Sequence, residues 1–450
     1  MKKYLLHLLI ISFALVTYSC KDYNSHPLEA VSTGSANFSK YVAVGNSLTA
    51  GYESGALYQE AQKYSYPNLI ARQLHIKDFE QPLVASPGIG QRLEISNFQT
   101  FSITANTQTG NPLNENLSRP YDNLGIPGAV LVDYSNDNDQ GQLKERATNQ
   151  NRADFNPFYQ LVMRTELQKP APNINDLVTA LNPTFVTFWL GNNDALNYVL
   201  DGGAGRSFLP PTTFQALYQR AAQLLAATNA NVAFMNIPNV TDIPFVFQTN
   251  AQLMQEGKIK LNAQNQYQLV TPQGDLNIYI KTEDTTRVMM KNDFLLLTAQ
   301  EYLTQALANN MPPVTPQTAI PSQYVLDGPA GGQPGSSELE KALTTIAQYN
   351  AAISGVVQSN PDKFMLININ GFFNNIITSY LNKGYGYLDA SQDTLNPVIG
   401  SLFSLDGVHP TNKGYALVAN EIIKDINSKY NAKIPEIDVR QIPLGLPWKQ

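Results

Sequence analysis

Four times along the chain a short apolar run, rich in β-branched or aromatic residues, stops at a polar or proline-marked turn. Tyr41-Val42-Ala43-Val44 stops at Gly45-Asn46-Ser47, and Thr184–Leu190 stops at Gly191-Asn192-Asn193-Asp194. Asn231–Ile237 stops at Pro238, and Phe364–Ile369 is the fourth run. Runs of this kind form buried strands. Between them lie stretches with helical character. Tyr66–Ile76 has Pro67 in its first turn and Leu69, Ile70 and Leu74 close to one face. Ile174–Leu181 and Thr213–Ala227 are also helix-like. Ser337 and Glu340 form a capping box ahead of the stripe Leu339, Leu343, Ile346, Ile353 and Val357. Thr411 is placed to cap a last helix carrying Tyr415, Val418, Ile422 and Ile426. Strands alternating with helices predict an α/β fold with a mainly parallel sheet.

The remaining segments read differently. Ile89–Asn116 is polar and predicts a surface excursion. Asn123-Leu124-Gly125-Ile126-Pro127-Gly128-Ala129 predicts a glycine-rich turn leading to Val130-Leu131-Val132, where a backbone amide is presented without a blocking side chain. Asp133–Gly141 is acidic but lacks the spacing and closing glutamate of a calcium loop, so it predicts a solvated loop. In Asn250–Met311, Lys258–Leu261 and Tyr267–Val270 predict a hairpin and Val288–Leu307 a helix. This region reads as a lid or a side layer on the sheet. Ala330–Gly335 predicts a loop.

At the start, Lys2 and Lys3 precede the apolar Leu5–Val16, and Thr17-Tyr18-Ser19 leads to Cys20. The run is short for a membrane span and fits a secretory signal. Its end resembles a bacterial lipoprotein signal, which implies lipidation of Cys20, the only cysteine in the chain. The expected organisation is a signal over 1–19, a polar tether over 20–39 and a domain over 40–450. Lys21-Asp22 resembles the charged pair that sends some Gram-negative lipoproteins to the cell surface. With 43% hydrophobic and 15% charged residues, the 450-residue chain can bury a sizeable core. A net charge of −6 and no basic cluster argue against a nucleic-acid partner.

Ser47 stands at the end of a buried strand among small neighbours, at the sheet edge where ligands gather in open α/β folds. It is the candidate nucleophile and needs a base, an orienting group and donors for an oxyanion. Of the four histidines, His7 lies in the signal, His26 in the tether and His75 at the end of the first helix. His409 is the economical base. Asp406, three residues before it, is within reach of the imidazole and can fix its tautomer.

Taken together, these stretches resemble the SGNH (GDSL-type) hydrolase superfamily. Gly45-Asn46-Ser47-Leu48-Thr49 resembles its nucleophile block, with Asn46 where Asp is more usual. Asn123 with Gly125-Ile126-Pro127-Gly128 resembles the second block, Gly191-Asn192-Asn193-Asp194 the third and Asp406-Gly407-Val408-His409-Pro410 the fourth. The resemblance implies a three-layer α/β/α, flavodoxin-like fold with large insertions, placed near 89–120, 133–172 and 247–335. It implies a Ser47–His409–Asp406 triad, with oxyanion donors from the amides of Ser47 and Gly128 and the side chain of Asn193. In the second block Gly128 is chosen over Gly125.

The expected protein is a lipid-anchored ester hydrolase of the cell envelope, at the outer membrane, working through an acyl-enzyme without metal or organic cofactor. Its substrate is a lipid-like or acylated small ester, or an acetylated glycan. Transfer of the acyl group to another alcohol is one rival, and a surface lipoprotein that only binds glycan or lipid is another. Trp189, Tyr198 and Phe245, near block ends, are candidates to line an acyl pocket, though such residues are more often core.

Overall fold

Four apolar runs and one short further segment become strands of one parallel sheet in the computed structural model. They are β1 (Tyr41–Gly45), β2 (Asn123–Gly125), β3 (Phe185–Trp189), β4 (Asn231–Met235) and β5 (Phe364–Ile367). Their spatial order is β2-β1-β3-β4-β5. Ala43 lies opposite Asn123 on one side and Thr187 on the other, so β1 is an interior strand. This doubly wound order reverses direction between β1 and β3, the place where open α/β sheets form their crevice.

The helices include α1 (Ser47–Ala50), α2 (Tyr66–Gln73), α3 (Ile174–Leu181), α4 (Asn192–Val199), α5 (Pro211–Ala226), α6 (Pro244–Gln255), α7 (Ala299–Ala308), α8 (Glu338–Ser359), α9 (Ile369–Asn382) and α10 (Asn412–Tyr430). Strand residues alternate between the two faces. Val42, Val44, Val186, Phe188 and Phe234 pack with Leu177, Tyr218, Ile346 and Tyr349 from α3, α5 and α8. Tyr41, Ala43, Phe185, Trp189 and Met235 pack with Leu69, Ile70, Ile422 and Ile426 from α2 and α10. Both faces are covered, which is why these strands read as continuous apolar runs. The expected three-layer α/β/α architecture is therefore present. The predicted caps are formed as well: Ser337 Oγ accepts from the Glu340 amide (3.2 Å) and Thr411 Oγ1 from Gly414 (3.2 Å).

The described residues are 31–135, 142–329, 335–382 and 398–449. The signal segment, Cys20, His26 and most of the tether lie outside them, as do the end of the acidic loop and 330–334. Thr33–Gln450 forms one compact unit. Ala36 and Phe38, within the stretch read as tether, are buried, and Phe38 stacks on Phe185 at 4.1 Å.

Several local expectations are corrected. Val288–Leu307 is not one helix: strands Thr286–Val288 and Phe294–Leu295 precede α7, which starts at Ala299. The break centres on buried Asp293, which accepts from Arg287, from the Met290 amide (2.6 Å) and from Gly328 (2.8 Å). The expected hairpin is present as Ile259–Leu261 paired with Tyr267–Leu269, joined by a third strand, Leu276–Asn277. Asn123–Gly125 is strand rather than turn, and Leu131–Asp133 is a short 3-10 turn. Asp133 is fully buried, not solvated, because Arg146 pairs with it and the Tyr159 hydroxyl donates to it at 2.5 Å. The polar 89–116 stretch contains a hairpin, Arg92–Asn97 with Ser102–Asn106, whose Ile95 is buried against Ile399 and Leu405.

Candidate active site

β1 ends at Gly45, and the chain turns back at once into α1. The Asn46 side chain caps that turn, its Oδ1 accepting from the Leu48 amide at 3.0 Å. The turn is tight enough that a Cβ on Gly45 would sit 2.0 Å from Thr49 Oγ1, so this position requires glycine. Ser47 is thereby fixed as the first residue of α1, nearly buried but lining open space. The sheet edge supplies its neighbours: Gly128 follows β2, and Asn193 lies in the first turn of α4 after β3.

On one side stands the loop before α10. His409 Nδ1 lies 3.0 Å from Asp406 Oδ2. Asp406 Oδ1 also accepts the backbone N–H groups of Val408 and His409, both at 2.9 Å, and Oδ2 accepts that of Gly55 at 2.9 Å. Burial alone would push this carboxyl up. The attraction of the adjacent His409 ring, its hydrogen bond and the backbone donors outweigh that and hold it at about 2. Asp406 is thus an anion that fixes the imidazole, leaving Nε2 as the nitrogen available for chemistry. The spacing of three predicted this contact.

The sequence reading did not anticipate the turn that holds this loop. Tyr52–Gly55 reaches across: the Ser54 amide donates to Ser404 Oγ (2.9 Å), and the Leu405 amide donates to Ser54 Oγ (3.3 Å). The Tyr52 ring lies 4.8 Å from the His409 ring, and the Tyr415 hydroxyl donates to the Tyr52 carbonyl at 2.6 Å. Ser54 and Gly55 both have positive φ, and their amides meet Ser404 Oγ and Asp406 Oδ2. The partners of this turn lie some 350 residues away in the chain.

On the other side, neutral amides do the holding. Asn193 Nδ2 donates one N–H to the Ala129 carbonyl at 2.8 Å, which orients the amide and leaves its second N–H for a ligand. Gly128 has φ +81° and lines the same cavity as Ser47, whereas Gly125 is buried in β2 against Gly45. Asn156 was also missed from sequence. Its Nδ2 donates to the Pro127 carbonyl at 2.7 Å, and its Oδ1 accepts from the Phe158 amide at 2.9 Å. The Pro127 carbonyl and the Gly128 N–H belong to one planar trans peptide and point opposite ways. Asn156 therefore sets the direction of the Gly128 N–H. A side chain at 128 would meet Asn156 Nδ2 at 2.7 Å, a second reason for glycine there.

Residues 41–294 match the GDSL-like Lipase/Acylhydrolase family. The chain belongs to that family. It is accordingly a hydrolase of ester bonds. The matched residues include Ser47, Gly128 and Asn193 and end before Asp406 and His409. No curated protein matches the chain. Among solved structures it is similar to LAE5, an alpha/beta hydrolase enzyme from the metagenome of Lake Arreo, Spain. That similarity has 11% identity and TM-score 0.35, covering 87% of this chain and 96% of the other. It is also similar to the acetyl xylan esterase AlAXEase, with 14% identity, TM-score 0.34 and coverage of 86% and 98%.

Two cavities meet at Ser47 in this GDSL-like hydrolase, and Ser47, Asn193 and His409 line both. One is narrow, about 70 Å³, with walls from Ile237, Val240, Ile243, Ile346, Phe373 and Phe403. The other is broad, about 790 Å³, and carries Tyr52, Gly128, Arg152, Phe155, Asn156 and Arg206. Asp242 borders the narrow cavity; burial pushes its carboxyl to about 7. Trp189, Tyr198 and Phe245, the sequence candidates for an acyl pocket, line neither cavity. Trp189 is fully buried and donates Nε1–H to the Asn236 carbonyl at 3.2 Å. Residues 250–311 line neither cavity, so that region is a side layer with its own apolar cluster around Ile280 and Met289.

Proposed function

We propose that this ester hydrolase works through an acyl-enzyme on Ser47. The observation that carries the reading is the Asp406 carboxylate bonded to His409 Nδ1, with the imidazole and Ser47 sharing both cavities. His409 Nε2 takes the Ser47 proton as Oγ attacks the ester carbonyl. The tetrahedral oxyanion is met by the amides of Ser47 and Gly128 and by the second N–H of Asn193. The carbonyl–alkoxy bond then breaks, and the leaving alcohol receives the proton from His409. Water repeats the sequence on the acyl-serine, releasing a carboxylic acid and restoring the serine. No step calls on a metal or organic cofactor. Donors aimed at a developing oxyanion count for more than ordinary hydrogen bonds, because they strengthen as charge forms. The substrate is a lipid-like or acylated small ester, or an acylated glycan.

The hydrolase is also proposed to sit in the cell envelope, anchored by a lipid on Cys20 at the outer membrane. The support is the charged start, apolar core and lone cysteine of residues 1–20. Among the described residues no helix is long and apolar enough to cross a membrane. Metabolic labelling with an alkynyl fatty acid tests this: label lost in Cys20→Ser supports it, and label retained contradicts it.

For the chemistry, a fluorophosphonate probe and p-nitrophenyl acetate turnover are applied to the wild type, Ser47→Ala and His409→Ala. The expected result is labelling at Ser47 and turnover lower by roughly 10⁴–10⁶-fold in both variants. Undiminished turnover in either variant would contradict the assignment.

A further inference from the structure

One segment of the chain lies behind both oxyanion donors that stand outside the nucleophile turn. Asn156, which holds the Pro127 carbonyl, lies between the helices Gln142–Thr148 and Phe158–Met163. Its own amide donates to the Arg146 carbonyl at 2.8 Å. The Arg146 side chain pairs with Asp133 Oδ1. Asp133 Oδ2 accepts from the Tyr159 hydroxyl at 2.5 Å and from the Val130 amide at 2.8 Å. None of these three side chains enters the acyl-enzyme steps, yet Asp133 is fully buried. A buried ion pair is weak support for stability, since well-packed apolar residues of similar volume often serve as well.

The Val130 N–H links this cluster to the site. It shares one planar trans peptide with the Ala129 carbonyl, and the two groups point opposite ways. That carbonyl is the acceptor for Asn193 Nδ2 at 2.8 Å. The Ala129–Val130 peptide is therefore held at both ends, by the Asp133 carboxylate on its N–H and by Asn193 on its C=O. A hydrogen bond to an ionised acceptor is stronger than a neutral one, and it polarises the peptide so that its carbonyl accepts more strongly. The two N–H bonds of a planar carboxamide keep a fixed angle, so tying one to Ala129 settles where the other points. The next peptide is held as well, since the Leu131 amide donates to Asp194 Oδ2 at 3.0 Å.

Resting on the acyl-enzyme reading above, we propose that Asp133, braced by Arg146 and Tyr159, is a positioning residue for the oxyanion hole. It acts on Asn193 through the Ala129–Val130 peptide. With Asn156 acting on Gly128, the segment 142–163 then aims both donors. The effect falls on the transition state. The second Asn193 N–H tightens only as charge forms on the ester oxygen, so misalignment lowers kcat and leaves KM nearly unchanged.

The test is a double-mutant cycle on the purified protein, read as steady-state turnover of p-nitrophenyl acetate. Tyr159→Phe removes one donor to Asp133 and keeps the ring. Asp133→Asn removes the charge and keeps an acceptor for the Val130 amide. Each is made alone and together with Asn193→Ala. The expected result is a fall in kcat of about threefold or more in Tyr159→Phe and about tenfold in Asp133→Asn, with KM within about twofold. In the Asn193→Ala background both losses should shrink below about twofold, because the group they act through is gone. If melting curves show that Asp133→Asn does not fold, Tyr159→Phe decides alone. An unchanged kcat in Tyr159→Phe, or the same loss factor in both backgrounds, would overturn the assignment and leave the cluster a structural one. Failure of the acyl-enzyme reading looks different: Asn193→Ala then leaves kcat unchanged, and the phosphonate leaves Ser47 unlabelled.

Discussion

The two sides of Ser47 are built on different principles. The proposed base side, residues 404–410, is organised around one buried anion: Asp406 accepts three backbone N–H groups and a bond from the His409 ring. The proposed oxyanion side, around Gly128 and Asn193, presents neutral amides; the Asp194 carboxyl beside it is buried, accepts the Leu131 amide at 3.0 Å and is pushed up by burial to about 7. Asn156 and Asn193 hold the backbone carbonyls of Pro127 and Ala129 at 2.7 and 2.8 Å. The difference has a physical logic. A base that becomes cationic needs a fixed counter-charge, whereas an oxyanion hole needs dipoles that are already aligned and do not titrate. Losing the charge should therefore cost more than losing one dipole.

The largest effect expected within this comparison is that of Asp406→Asn. It keeps the shape but no longer favours the tautomer with the proton on Nδ1, and kcat should fall roughly 10⁴-fold. Steady-state kinetics on p-nitrophenyl acetate measures it. Asn193→Ala comes next, lowering kcat about 10²–10³-fold with little change in KM, because its bond tightens as the oxyanion forms. Asn156→Asp is smaller. It removes the donor to the Pro127 carbonyl while keeping the acceptor for Phe158, and on the order of tenfold in kcat should be lost. If KM rises instead and kcat holds, Asn156 shapes only the broad cavity.

Acid separates the two sides. The folded-state pKa of Asp406 is lowered to about 2. Its contribution to stability is therefore complete above the unfolded value near 4 and is lost as pH falls from there towards 2. The contribution is about 2 kcal/mol. Chemical denaturation should show wild type and Asp406→Asn differing by this pH-dependent amount at pH 5 and converging towards pH 2. Asn193→Ala should show no such convergence.

Much of this was legible in the sequence, for a definite reason. β1, β3, β4 and β5 are buried on both faces, so their residues announce themselves without knowledge of their partners. Ser47, Asn193 and Asp406-His409 stand at turns at or near element ends, where short polar signatures survive. β2 was hidden because three residues, Asn123-Leu124-Gly125, are made into a strand by pairing with Ala43–Gly45 rather than by their own propensity. The segment 288–298 misled for a similar reason. Its apolar residues pass for helix locally, but Asp293 is held by Arg287 and Gly328. The Tyr52–Gly55 turn and Asn156 carry ordinary loop sequence. Their importance lies in contacts with Ser404–Asp406 and Pro127, which no local pattern encodes.

The central claim, an acyl group carried on Ser47, is tested most directly by rapid acid quench during turnover of p-nitrophenyl acetate, followed by peptide mass spectrometry. The account predicts one added acetyl group on the peptide containing Ser47, absent when the quench precedes substrate. Turnover with no adduct on that peptide, or with the acetyl group on another residue, would contradict it.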